Sequence, residues 1–151
     1  MVDMRSDRPP SGSRGHRVVL TRAAAEAALP SLLGMALDYT PTLDRHDARR
    51  KVGVITRADI VGRSLELGGY LFAKDFPEIV KEIGRATRRY PRAADGTLAA
   101  PQLGMSYEVT DVEITDTNAS VWTLTHVTFT GAAILRRDKA AYRETWIELG
   151  D

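Results

Sequence analysis

A chain of 151 residues with 43% hydrophobic and 27% charged residues has the make-up of one globular domain with a real core. Its formal net charge of +1 asks for neither nucleic acid nor an anionic membrane as a partner. The absence of cysteine excludes disulfides, thiolate metal sites and a cysteine nucleophile, and it fits a reducing compartment. No apolar run approaches the roughly 20 residues of a membrane-spanning helix, and the first residues lack the apolar core of a secretory signal. A soluble intracellular protein is expected.

Residues 1–16 are rich in Pro, Gly, Ser and Arg. Such a stretch buries little apolar area against its ordering entropy, so a disordered tail is expected, with His16 solvated at its edge and the folded domain spanning 17–151. Val18 to Leu20 reads as a short strand. Thr21 then stands as the N-cap of an alanine-rich helix, "RAAAEAALPSLLGMAL", which Pro30 should kink or break. "DYTPTLDRHDARR" follows as a charged loop.

Two strands are expected around Val52 to Thr56 and Ser64 to Leu71, with the glycine of "VGR" turning between them. "DFPEIVKEIGRATRRY" has the marks of a helix. Asp75 caps it, Pro77 sits near its first position, and Glu78 follows three residues after the cap. Arg85, Arg88 and Arg89 match the dipole at its end, and Phe76, Ile79, Val80 and Ile83 form an apolar stripe. "PRAADGTLAAPQ" reads as a loop. "LGMSYEVTDVEITD" and "SVWTLTHVTFTGAAIL" read as a strand pair joined by "DTNAS". The alternation of Tyr107 and Val109 changes phase at Val112 and Ile114, which points to a bulge near Thr110 and Asp111. "RRDKAAYRETWIEL" should hold a short helical turn and a closing strand. The order gives an α+β domain whose largely antiparallel sheet is expected to curl into a β-barrel flanked by helices.

Three residues carry candidate chemistry. His46 lies in a loop just before a strand, and solvation among charges is its plain reading. Ser106 follows a glycine at a strand start, where a serine needs no special role. His126 shares a face with Trp122 and Leu124, because side chains two apart in a strand point the same way; a buried imidazole there must be hydrogen-bonded. No GxSxG, HExxH, GxxxxGK[ST] or GxGxxG motif is present. Adjacent His46 and Asp47 with His126 make a poor ligand set, so neither metal nor cofactor is expected. The arginines at 49, 50, 85, 88 and 89 lack interleaved aromatics and are balanced by acids, as on a solvated face.

Three segments together resemble the tailed-phage prohead (head maturation) serine proteases, distant relatives of the herpesvirus maturation proteases. "RHDARRKVGVITRADIVGRSLELGGYLFAKDFPEIVKEI" is similar to their first half, in which a histidine precedes a hairpin and a helix. "PQLGMSYEVTDVEI" resembles their catalytic-serine strand, and "VWTLTHVTFTGAAIL" the strand after it. Where many phage members carry Glu, this chain has His126; the herpesvirus enzymes have His there, within a Ser-His-His triad. The resemblance runs from about Gly34 to Leu149 and implies a herpesvirus-protease-like barrel.

It also implies a serine endopeptidase acting in the host cytoplasm, inside the assembling prohead. Its substrates would be scaffold and major capsid protein, and self-association would accompany the activity. Ser106 would be the nucleophile, His46 the base, and His126 the group that orients His46. Arg136 and Arg137 look similar to the oxyanion-binding arginine pair that the herpesvirus enzymes carry shortly after this strand, with a different gap after the histidine. Glu144 and Glu148 are alternative acids outside the family position. The other reading is a protease-derived assembly or scaffolding protein without activity. Prohead proteases are often followed by, or fused to, a scaffolding segment, so a chain that stops at "ELGD" implies a separate scaffold or a truncated sequence.

Overall fold

The computed structural model describes residues 1–89 and 103–150. The expected loop at 91–102 and the side chains of Arg88 and Arg89 lie outside the described residues. Strand β1 (Arg17–Leu20) leads into helix α1 (Arg22–Ala28). Thr21 caps that helix as its sequence suggests, its side chain accepting from the Ala24 N–H. Pro30 ends the α-helical run, and Leu29–Leu32 tightens into a 3₁₀ turn. A short strand, β2 (Ala36–Asp38), follows inside what reads as helix in the sequence. A three-residue strand leaves almost no period to detect.

Strands β3 (Lys51–Val61) and β4 (Ser64–Leu71) form the expected hairpin, turning at Gly62 with φ +61°. Helix α2 (Pro77–Arg89) buries Ile79 and Ile83, with Phe76 and Val80 packed beside them. The long strands β5 (Leu103–Ile114) and β6 (Val121–Arg136) complete a mixed six-stranded sheet. After a 3₁₀ turn at Arg137–Lys139 the chain continues without the closing strand expected there.

Strand β6 organises the sheet. On one side it pairs antiparallel with β5. On the other it pairs in parallel with β1 near its start and β2 near its end. β3 and β4 extend the sheet beyond β2. The α+β class holds, but the sheet stays open rather than closing into a barrel. β4 and β5 end on opposite sides of it, and both contribute walls to one cavity of about 700 Å³. Segments 8–13 and 144–148 also line that cavity.

Residues 1–16 are packed rather than disordered. Val2 is fully buried, and the Asp3 and Ser6 N–H groups donate to the carbonyls of Leu20 and Val18. Ser6 Oγ accepts from the Val18 N–H in turn. Polar composition misleads here because the segment meets its hydrogen-bonding needs on the open edge of β1. His16 stacks on Trp122, with ring centroids 4.4 Å apart, instead of standing free in water.

Candidate active site on the floor of β6

The site begins with small residues. Gly131 and Ala133 lie two apart on β6, so they face the same side of the sheet. Ala133 pairs with Asp38 of β2 and with Ser106 of β5; Gly131 pairs with Ala36 and Glu108. Residues directly opposite one another share a face. Asp38, Ser106 and Glu108 therefore rise from one side of three adjacent strands, over a central strand without bulk. A Cβ added at Gly131 would lie 2.7 Å from the Ala36 carbonyl oxygen and 3.4 Å from Glu108 Oε2. Glycine thus permits both the strand approach and the position of Glu108.

The loop between β2 and β3 brings His46 over this floor. Two bonds hold it: the Arg136 N–H to the Leu43 carbonyl at 2.8 Å, and the Asp47 N–H to Asp38 Oδ1 at 3.1 Å. His46 Nδ1 meets Glu108 Oε1 at 2.9 Å. An ionised carboxylate only accepts, so Nδ1 carries a proton and donates; in the neutral imidazole this leaves Nε2 with its lone pair. His46 is 32% exposed and Glu108 18%, so the pair sits at the wall of the cavity rather than in the core.

Asp38 is 2% exposed. Burial pushes its carboxyl up to about 7; hydrogen bonding to Glu108 adds to this, and the Asp47 N–H opposes it. Burial also works against the Glu108 carboxylate, but hydrogen bonds from His46 and Asp38 outweigh it and hold Glu108 below its ordinary value. The pair therefore divides into Asp38, which holds its proton up to about 7, and a Glu108 that ionises readily. Ligand atoms of Asp38, His46 and Glu108 lie within 4.8 Å of one another, so the three could also hold a divalent cation. A cation there would displace the proton between the carboxyls and open the His46–Glu108 bond.

His46 and Ser106 border the same cavity as Glu108. Among the described residues, no hydrogen bond links Ser106 Oγ to His46, whose side-chain bond is to Glu108. His126 does not join them. It pairs with Glu113, five residues along β6 from Gly131, or roughly 16 Å at about 3.3 Å per residue. Its side chain is exposed, not buried beside Trp122 and Leu124. The cause is a bulge: Ile114 pairs with Leu124 and Glu113 with His126, so Thr125 is an extra residue that reverses the alternation. A second irregularity falls at Thr110 to Glu113, with Asp111 at φ +50°, where the sequence points to a bulge.

The arginine pair has other partners. Arg136 makes a two-pronged bond to Asp138, at 3.0 and 2.8 Å. Arg137 donates twice to the Arg143 carbonyl, at 2.9 and 2.6 Å. Arg136 is also three residues along β6 from the partner of Ser106, roughly 10 Å away. These bonds fasten the 3₁₀ turn and the segment after it, and neither guanidinium is presented to Ser106. Glu144 and Glu148 border the cavity, but the acid that reaches His46 is Glu108.

Sequence reasoning missed Glu108 and Asp38. The signal for Glu108 is "SYE", which places an acid on the same face as Ser106 two residues later. The signal around both is "TGAA", a run of small residues on a central strand. Comparison of the chain with protein-family models, with curated proteins and with solved structures finds no significant match.

Proposed function

We propose that the chain is a serine hydrolase, and specifically an endopeptidase of the prohead-protease type. The observation that carries this reading is the 2.9 Å bond from His46 Nδ1 to Glu108 Oε1, on the strand face that also bears Ser106. A serine hydroxyl is a poor nucleophile until a base takes its proton. His46 is that base, with Nε2 unprotonated and its ring oriented by Glu108. Ser106 Oγ attacks a carbonyl and passes its proton to Nε2; the imidazolium formed is stabilised by the Glu108 carboxylate and returns the proton to the amine as the C–N bond breaks, and water activated by the same imidazole then releases the acyl group from Ser106. A protonated Asp38 behind Glu108 keeps two negative charges from crowding the site. Glu108 takes the part that the family resemblance implies for His126.

The motif order of the chain supports scaffold and capsid-protein segments as substrates within an assembling phage head. A second reading, a protease-derived assembly protein that does not hydrolyse, is favoured by one observation: Ser106 and His46 share no hydrogen bond here. A fluorophosphonate probe separates the two without knowledge of the substrate. The hydrolase reading expects covalent labelling of Ser106, located by peptide mass mapping, and none in Ser106→Ala. A folded wild-type chain that stays unlabelled favours the assembly protein.

A further inference from the structure

We propose that the outer edge of β5 at Met105 and Tyr107 binds an extended polypeptide, and that segment 143–148 of the same chain holds this edge in its place. The inference concerns the strand edge and does not depend on the chemistry of Ser106.

Strand β5 pairs with β6 on one side only. Its other side presents the N–H and C=O groups of alternate residues. Met105 is one of these residues. Its N–H donates to Thr145 Oγ1 at 2.8 Å, and Thr145 Oγ1 donates to its carbonyl at 3.1 Å. One threonine hydroxyl thereby takes both groups that a neighbouring strand would use. The same alternation turns the N–H and C=O of Tyr107 outward, because no register shift falls between the two residues. Met105 and Tyr107 flank Ser106, so a polypeptide held on this edge runs directly beside the serine.

The fit of the segment is specific. A Cβ on Gly104 would lie 2.2 Å from Thr145 Cγ2, so the strand leaves room for this threonine. Ile147 packs against the core, whereas Trp146 between them is 47% exposed. That is the in–out alternation of a chain lying along a sheet edge. Yet the segment makes no ladder with β5, and its hold comes through one side chain. Such an occupant can be exchanged for a polypeptide that pairs backbone to backbone. The occupant we infer is an extended chain with a hydroxyl residue two positions before an aliphatic one, as in Thr145 and Ile147.

The test uses the full chain and a fluorescein-labelled synthetic peptide, RETWIELG, which repeats residues 143–150. In the wild type the tethered segment competes at an effective concentration on the order of millimolar. Thr145→Val keeps the shape of the side chain and removes its hydroxyl; Gly104→Ala fills the space that the threonine needs, in the segment and in the peptide alike. Thr145→Val should tighten peptide binding at least about tenfold by fluorescence anisotropy, and Gly104→Ala should bind no better than wild type. Hydrogen exchange at the Met105 amide should quicken in both and slow again with peptide only in Thr145→Val, where the Tyr107 amide should also gain protection. A folded Thr145→Val variant that binds no better than wild type, with exchange unchanged by peptide, would overturn the proposal and leave Thr145 as a guard of the edge. If Thr145→Val unfolds the chain, the wild type decides: about 1 mM peptide should slow exchange at Tyr107, and no slowing refutes the proposal.

Discussion

Asp38 and Glu108 are both half of a pair and unlike each other, and this difference yields measurable pH behaviour. The Asp38 carboxyl keeps its proton to about 7 in the folded chain, against 3.8 ordinarily. Between those values the folded state binds a proton that the unfolded state has released. The Asp38 contribution to stability is therefore complete below the ordinary value and is lost as pH rises through about 7. Asp38→Asn mimics the protonated form and removes this slope. Thermal unfolding should show the variant gaining on wild type between about pH 4 and about pH 8; a constant difference would mean that Asp38 does not titrate in this window. At the same scale, Glu108→Gln should slow fluorophosphonate labelling of Ser106 at least about tenfold, by removing the carboxylate that steadies the imidazolium. His126→Ala should leave the labelling rate within about twofold, because the histidine is exposed and far along β6. A loss on His126→Ala equal to that on Glu108→Gln would restore the Ser-His-His arrangement.

At the scale of elements, the site depends on β6 being thin where three strands carry its residues. Gly131→Ala sets a methyl against the Ala36 carbonyl, at a residue with φ +154°. The cost expected is about 1–3 kcal/mol by denaturant unfolding, together with slower labelling as Glu108 shifts. An unchanged midpoint would show that β2 can yield. The bulge at Thr125 belongs to the same scale. It sends Trp122 and Leu124 inward and His126 outward on one strand, which a regular alternation cannot do. Helix α1 is legible residue by residue, since its cap and its proline stop are local chemistry. Strand β2 is not, since a three-residue strand exists only because β3 and β6 lie on either side of it.

For the whole molecule, residues 1–16 act as part of the fold. Val2 is fully buried, and Tyr142 donates to the Met4 carbonyl at 3.0 Å, tying the two ends of the described chain together. Removal of residues 2–7 should destabilise the chain by about 3 kcal/mol or more, from lost burial and broken hydrogen bonds, read as a lower unfolding midpoint. A midpoint unchanged within error would return this segment to the disordered tail that its composition suggests. Packing of this kind depends on a partner edge supplied from elsewhere, and composition carries no information about that edge.

Local and periodic information was enough for the α+β class, the β3–β4 hairpin, the cap and break of α1, the stripe of α2 and the long β5–β6 pair. Each rests on contacts between residues near in sequence or on a repeat of known period. His46 and Ser106 were singled out by the resemblance that their neighbours in the chain carry, and both border the cavity. Only the tertiary structure decided which acid meets His46. Glu108 does so because Gly131 leaves space beside it and because the loop at 39–50 folds back over β6. "LTHVTF" marks His126 as a strand residue, but the side it faces was set by one inserted residue against β5, and an inserted residue is defined only by the register of its partner strand.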